Sequence, residues 1–274
     1  MKKRHYGFLI GSMMVIVLAL LILAGSWLAP HDPEKINIAI RLAPPTSEYP
    51  LGTDAYGRCI LSRLILGARY SVGLSVLIVT VVAAGTIPIG MAATYKGGLL
   101  DKLFLLTCDI SMALPPTVLV LAIMGVLGNG IVNLIFSSVF SYWGWYGRMV
   151  RSYTRNELVK EYIVYAKTGG ATPLQITAQH ILPNIAPSLI VLLALGIGDA
   201  ILMISGFSFL GIGLSSGTPE WGAMLAEAKG QLLSNPSFVI CPGVCVLFTV
   251  CAFNLLGEGL RARLSPYRKG VDYE

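Results

Sequence analysis

The stretch EYIVYAKTGGATPLQITAQHILPN, residues 161–184, is polar and helix-like within a chain otherwise built of long apolar runs. Residues 161–167 can continue a helix from the region of Arg151. The pair Gly169-Gly170 is expected to end that helix, because glycine tolerates the left-handed conformation of a helix C-cap. The first half of the stretch therefore predicts a helix followed by a glycine stop.

A second helix is predicted to begin immediately afterwards. Thr172 occupies an N-cap position, Pro173 the first helical position and Gln175 the third, which is the spacing of a capping box. This helix is expected to end near Leu182, because Pro183 disfavours helical geometry in the residue before it.

The second helix carries an apolar face. Leu174, Ala178 and Ile181 follow the i, i+4, i+7 spacing of one helix side. Such a short helix is marginal alone, so its apolar face needs a surface to dock against. A membrane surface is one alternative, but the polar side carries no Lys or Arg to favour it. The pattern favours a groove in a partner protein.

The composition is that of an integral membrane protein. The chain has 274 residues, of which 55% are hydrophobic and only 12% charged, and its mean hydropathy is +0.72. An ordinary soluble domain is about a quarter charged. The net charge of +6 is explained by Lys and Arg in cytoplasmic loops and does not indicate nucleic acid. The five cysteines have no zinc or redox spacing.

The apolar runs predict an all-α protein with six transmembrane helices. Six runs are long enough to span: 7–28, 70–94, 103–127, 131–147, 187–212 and 237–257, of which the fourth is the shortest. With both termini cytoplasmic, fourteen Lys and Arg fall inside and six outside, which the positive-inside rule favours.

This topology divides the chain into two parts. Residues 1–69 are expected to form an N-terminal span and an extracytoplasmic loop. Residues 70–274 are expected to form a five-helix core, with a cytoplasmic loop at about 151–184. The first run lacks an A-x-A cleavage site, so it is interpreted as a retained span.

The cytoplasmic loop resembles the EAA loop of ABC-transporter permeases. Glu161 lies three residues earlier than the consensus glutamate, as in the peptide and nickel permeases. Four residues match the consensus by spacing: Ala166, Gly170, Leu182 and Pro183.

Further motifs resemble the dipeptide, oligopeptide and nickel branch of that family. They are PLGTDAYGRCILSRLILGARYSVGLS (50–75), DISMALPP (109–116), WYGRMVRS (145–152), SFLGIGL (208–214), PEWGAML (219–225) and AFNLLGEGLR (252–261). The segment 125–152 is similar to the nickel-type permeases. Cys59 replaces a usual Asp, and Met203 stands where peptide permeases usually carry a Glu.

The resemblance implies a type I ABC importer permease fold, in a bacterial or archaeal cytoplasmic membrane, that forms half of a pathway. The implied partners are a second homologous permease, two ATPase subunits, an extracytoplasmic solute-binding protein and membrane lipid, without nucleic acid. The coupling loop would comprise Glu161, Ala166, Gly169, Gly170, Ala171, Thr172, Pro173, Leu174, Leu182 and Pro183.

The chain itself is expected to be neither an enzyme nor a cofactor binder. It contains no G-x-x-x-x-G-K-[ST] loop to cradle phosphates, so ATP and Mg²⁺ would be bound by the partner ATPase. No catalytic residue and no firm metal ligand is assigned.

The expected solute is nickel or a metal chelate, with a dipeptide or oligopeptide as the alternative. Asp199 and Met203 are the candidate pathway residues. A carboxylate in a span is expensive and should face the bundle interior or a pathway. Met203 lies one turn further along the same face, where its thioether could assist a passing metal or could simply fill space.

Two rival functions stay open. Residues 196–199 match G-x-G-D, a motif of intramembrane aspartyl proteases, whose chemistry needs two carboxylates sharing a proton. Asp109 would have to be the second carboxylate, but its predicted depth differs from that of Asp199. A passive channel is the other rival, and it predicts solute flux without ATP.

Overall fold

The computed structural model describes residues 2–214 and 217–264, and the side chains from residue 6 onward in those ranges. Part of the charge count used for the predicted orientation, including Arg268 and Lys269, lies outside the described residues. The described part is helical, with one isolated bridge between Thr53 and Cys59.

The helices are, in chain order, α1 (Lys2–Leu28), α2 (Ile60–Lys96), α3 (Gly98–Met112), α4 (Pro116–Leu127), α5 (Ile131–Leu158), α6 (Glu161–Thr168), α7 (Pro173–Gln175), α8 (Leu182–Phe209), α9 (Trp221–Ala228) and α10 (Ser237–Leu264). A π-helical turn, Ile176–Ile181, joins α7 to α8. Short 3₁₀ turns lie at Ile38–Ile40 and Lys229–Gln231.

Four helices of the described ranges are long and apolar enough to cross a membrane: Tyr6–Leu28, Ile60–Lys96, Pro173–Phe209 and Ser237–Leu264. The predicted third span, 103–127, is divided into α3 and α4, which meet at an angle of 82°. The bend follows from the Pro115-Pro116 pair, because proline cannot continue the hydrogen bonding of α3. The pair makes a fifth span if it is counted as one.

The predicted fourth span, 131–147, lies within α5, which is more polar than the other long helices. Three of its serines, Ser137, Ser138 and Ser141, are buried, and Arg148 and Arg151 follow towards its end. Ser137 donates to the Asn133 carbonyl of its own helix at 2.8 Å, and Ser141 donates to the Pro116 carbonyl of α4 at 3.1 Å.

The first span packs directly on the rest of the bundle. α1 lies along α10 and α2, and Leu18 is buried in a core with residues of α2, α9 and α10. α2 begins at Ile60, ten residues before the predicted start of the span at 70. The hydropathy pattern obscured this extension because Arg63 lies in it, yet that side chain is buried and paired.

A cluster of ion pairs ties the segment before α2 to α9. Arg58 lies 2.7 Å from a carboxylate oxygen of Asp54 and 2.6 Å from one of Glu227. Arg63 contacts the same Glu227 oxygen at 3.2 Å and donates to the carbonyl of Gly217 at 3.3 Å. Charges that are buried in opposite pairs avoid the full cost of desolvation.

Glu220 fixes the start of α9 from a fully buried position. Its carboxylate accepts hydrogen bonds from the backbone N–H groups of Gly222 at 2.9 Å and Ala223 at 2.8 Å, as an N-cap residue does. It also accepts a bond from the Ser71 hydroxyl of α2 at 3.0 Å. One side chain therefore caps α9 and attaches it to α2.

Gly196 of α8 allows close approach of α5. Tyr146 of α5 is buried against this glycine. A Cβ atom at position 196 would overlap the Tyr146 hydroxyl oxygen and would lie 2.9 Å from the ring carbon Cζ. The first glycine of the G-x-G-D sequence is thus required for helix packing.

We expect Glu220→Ala to lower the free energy of unfolding by about 1–3 kcal/mol, because it removes a cap and leaves buried donors unpaired. Thermal unfolding of the purified chain in detergent measures this. Glu258→Ala is the control, since Glu258 is exposed and its ion pair with Arg261 is a surface contact worth less than about 1 kcal/mol. Equal losses of unfolding free energy for the two variants would contradict a stabilising role of Glu220 as the buried N-cap of α9.

We expect Gly196→Ala to destabilise the packing of α5 on α8 by about 1–3 kcal/mol, the usual cost of overfilling a core. Tyr146→Phe should partly rescue it, because the overlapping oxygen is removed while the ring carbon stays close. The monodisperse fraction in size-exclusion chromatography reports folding. A double variant no better than Gly196→Ala would show that this overlap is not the cause.

Candidate functional site

The segment predicted to couple the chain to a partner, 151–184, begins with a corner rather than a continuous helix. α5 ends at Leu158 and α6 begins at Glu161, so the predicted continuation from Arg151 is wrong. Lys160 has an extended backbone, with ψ of 144°, at the start of α6.

Glu157 holds this corner together. Its carboxylate accepts a bond from the Lys160 ammonium at 2.9 Å and another from the Tyr162 hydroxyl. Burial raises the pKa of Tyr162, and the neighbouring Glu157 carboxylate raises it further. Tyr162 therefore stays a neutral hydrogen-bond donor at physiological pH. The corner could have been predicted from the short spacing of Glu157, Lys160 and Tyr162, which sequence reasoning did not use.

The glycine stop is confirmed. α6 ends at Thr168, and Gly170 has a φ of +82°, in the left-handed region. The N–H of Ala171 bonds to the carbonyl of Ala166 at 3.1 Å, and that of Gly170 bonds to the carbonyl of Lys167 at 3.1 Å. These two bonds form a Schellman motif, which satisfies the last carbonyls of a helix.

The capping box is also confirmed. The N–H of Gln175 donates to the Thr172 hydroxyl oxygen at 3.3 Å, and the N–H of Thr172 donates to the Gln175 side-chain oxygen at 2.8 Å. Pro173 lies at the first helical position, where its missing N–H costs nothing. Because both ends of the 169–172 turn are fixed by local bonds, the turn has one defined geometry.

The predicted end of the second helix near Leu182 is wrong. The chain continues through the π-helical turn into α8, in which Pro183 lies in the first turn. The N–H of Leu182 bonds to the carbonyl of Thr177, five residues earlier, so the turn is wider than in an α-helix. This widening accommodates a proline without ending the helix. The side-chain amide of Asn184 donates a hydrogen bond to the carbonyl oxygen of His180 at 2.7 Å.

The wider turn also changes which residues face inward. Ile176, Ile181 and Ile185 are buried, whereas Leu174 is 76% exposed and Ala178 is exposed too. The predicted face of Leu174, Ala178 and Ile181 is therefore wrong, because one extra residue in the turn moves Ile181 to the opposite side.

Several apolar side chains of this segment face outward. We call them the loop anchors: Val159, Val164, Tyr165, Leu174 and Leu182, all of them exposed. Among the other predicted loop residues, Glu161, Gly169, Gly170, Thr172, Pro173 and Pro183 are exposed, while Ala166 and Ala171 are partly buried against the core below. The structure brings these residues together as one compact unit at the junction of α5 and α8.

A cavity of about 510 Å³ lies where the α3–α4 bend meets α5 and α8. We call it the bend cavity. It is lined by Ser111, Met112, Ala113, Leu114, Pro115, Pro116, Ser141, Tyr142, Trp145, Tyr146, Gly196 and Asp199.

The two predicted pathway residues are separated by the structure. Asp199 lines the bend cavity, but Met203 does not, and it packs partly buried beside Ile204 and Phe207. The aromatic wall of Tyr142, Trp145 and Tyr146 was missed by sequence reasoning. The dense aromatic run SYWGWYGR, 141–148, was its signal.

Asp109 forms an ion pair with Arg148 of α5, a partner that the sequence did not identify. Asp109 is not among the residues that line the bend cavity with Asp199. The described residues contain no group of three His, Cys, Asp or Glu side chains placed to hold a metal ion. The two aspartates thus have different surroundings, unlike the shared-proton pair that a G-x-G-D protease requires.

Comparison with known families finds two matches. Residues 86–269, more than half of the chain, match the family "Binding-protein-dependent transport system inner membrane component". Residues 3–45 match "N-terminal TM domain of oligopeptide transport permease C".

Three curated relatives are similar over nearly the whole chain. The nickel transport system permease protein NikC of Escherichia coli K12 is 35% identical over 93% of this chain and 92% of its own. The dipeptide transport system permease protein DppC of Haemophilus influenzae is 36% identical over 97% and 92%. The glutathione transport system permease protein GsiD of Escherichia coli O6:K15:H31 is 35% identical over 98% and 89%.

The family model covers more than half of the chain, and the described residues contain apolar helices of membrane-spanning length. The chain therefore belongs to the family of binding-protein-dependent transport system inner membrane components.

Proposed function

We propose that this chain is the permease subunit of an ATP-driven ABC importer and forms half of a membrane pathway. The observation that carries this proposal is the segment 159–182, which is locally fixed by a Schellman motif and a capping box yet presents apolar side chains to solvent. A rigid element with exposed anchors is suited to transmit the movement of a partner.

The proposed partner at this segment is one of two ATPase subunits. The sequence has no phosphate loop of its own, so ATP and Mg²⁺ are bound by the partner and the chain is not an enzyme. The loop residues from Glu161 to Pro183 form the contact, with Leu174 as the central anchor. A second permease and an extracytoplasmic solute-binding protein complete the assembly.

The proposed topology has six spans and both termini in the cytoplasm. Here α5 is the fourth span, and the α3–α4 pair is a broken third span. Residues 1–69 supply the N-terminal span and the extracytoplasmic loop, and residues 70–274 supply the permease core. The bacterial relatives support a location in the bacterial cytoplasmic membrane.

The proposed cargo is nickel or a metal chelate. The similarity of 125–152 to nickel-type permeases supports it, as does Met203 at the position where peptide permeases usually carry a Glu. A dipeptide or oligopeptide is the alternative, supported by the equal similarity to the dipeptide permease DppC. On this proposal Asp199 lines the pathway and Met203 supports the wall beside it.

Uptake of radioactive nickel by cells that lack this chain tests the cargo. We expect uptake to fall at least tenfold in the deletion strain and to be restored by the wild-type chain. A dipeptide added in excess should leave nickel uptake unchanged. Equal nickel uptake with and without the chain would contradict the nickel assignment, and loss of dipeptide uptake instead would select the alternative.

We expect Leu174→Ser to reduce co-purification of the ATPase subunit about tenfold or more, because burying a leucine side chain contributes about 1.5–3 kcal/mol. Leu174 is already 76% exposed in the chain, so its replacement should leave folding unchanged. The matched control is Leu233→Ser, a 99% exposed leucine on the segment before α10. Equal ATPase recovery from both variants would contradict docking at the loop.

A further inference from the structure

The bend cavity is lined by one ionic side chain and three aromatic side chains. Asp199 is the only Asp, Glu, Lys, Arg or His among its lining residues in the described part of the chain. Tyr146 lies beside Tyr142 and Trp145, with ring centroids 6.0 and 5.3 Å apart in edge-to-face geometry. A volume of about 510 Å³ is within the usual range for small-molecule sites.

The polar groups of the cavity fall into two kinds. Ser111 and Ser141 are satisfied internally, because Ser111 donates to the Phe140 carbonyl at 2.7 Å and Ser141 donates to the Pro116 carbonyl at 3.1 Å. The Tyr146 hydroxyl has no hydrogen-bond partner, although the side chain is only 2% exposed. Buried polar groups are normally paired, so this hydroxyl is an exception among the described residues.

The Asp199 carboxylate is the second polar group of the cavity to consider. Among the described residues, none forms a hydrogen bond or an ion pair with it, in contrast to Asp54, Asp101 and Asp109, which each pair with an arginine. Asp199 lies near the middle of the apolar run 187–212, where an unpaired carboxylate is expensive. Its side chain is exposed to the cavity.

We propose that the bend cavity is a transient binding site for the positively charged group of the cargo, with Asp199 as its counter-charge and Tyr142, Trp145 and Tyr146 as its wall. Aromatic faces attract cations, and a carboxylate in a water-poor site strengthens that attraction. This inference rests on the proposed function.

The site is suited to passage rather than to storage. A permanent metal site would need several His, Cys, Asp or Glu ligands, and the described residues offer no such group. One carboxylate with aromatic neighbours selects for positive charge but binds it weakly, so the cargo can dissociate again. The site therefore recognises a charge that a metal ion and the ammonium of a peptide share.

The experiment compares variants of the full-length chain in a strain that lacks it, with the other transporter subunits present. One arm measures uptake of radioactive nickel, and the other measures uptake of a labelled dipeptide with a free amino terminus. The N-acetylated dipeptide, which has no ammonium, is added as a competitor. The arm that is active for the wild-type chain identifies the source of the positive charge.

In the active arm we expect Asp199→Asn to reduce uptake at least tenfold, while Asp199→Glu keeps at least half, because the negative charge is retained. Trp145→Leu should reduce uptake severalfold. Trp27→Leu is the matched control, since Trp27 is exposed on α1 and distant in sequence from the cavity. The acetylated dipeptide should not compete.

Co-purification of the ATPase and of the second permease is measured for each variant. If Asp199→Asn keeps more than half of wild-type uptake, the inference is overturned while the proposed function stands. If Asp199→Asn loses the second permease, Asp199 is an assembly residue and the inference is again overturned. If the wild-type chain carries neither cation, the inference fails, and ATPase co-purification then decides the proposed function separately.

Discussion

The contact between Tyr146 and Gly196 is the constraint on which the rest of this structure depends. It brings α5 and α8 together at one point, and these are the two long helices that flank the loop segment 159–181. α5 supplies the aromatic side of the bend cavity, and α8 supplies Asp199. The cavity therefore lies partway along the same two helices whose ends the loop connects.

On the proposed function, this arrangement connects the loop mechanically to the cavity. From Leu182 to Asp199 the chain is helical without interruption, a distance of roughly 25 Å at 1.5 Å per residue. The π-helical turn joins α7 to α8 without a break in the helix, and on the proposed function it passes a displacement of the loop on to α8. The Schellman motif and the capping box make the loop itself stiff enough to act in this way.

The parts of the loop that sequence reasoning predicted correctly are those governed by local chemistry. Gly170 and Thr172 act through bonds to residues three to five positions away, and such bonds are encoded in spacing alone. The helix end predicted from Pro183 was wrong, because a proline is tolerated where the preceding turn widens. That widening depends on burial of Ile176 and Ile181 against other helices. Tertiary packing overrode a sound local rule.

Long-range partners were not predictable in the same way. The contact of Arg63 with Glu227 spans 164 positions, and that of Asp109 with Arg148 spans 39. Nothing in one sequence indicates which of several arginines a carboxylate will meet. The same limit applies to the bend cavity, because its wall comes from four helices and a proline-induced bend.

The distribution of paired and unpaired charge separates structural from functional acids in this chain. Asp54, Glu227 and Glu220 all lie in dense networks of donors, where losing a partner would leave a buried charge. Asp199 sits in an apolar run without such a network, so packing gains nothing from its charge. On the proposed inference, this carboxylate serves the positively charged group that enters the cavity beside it.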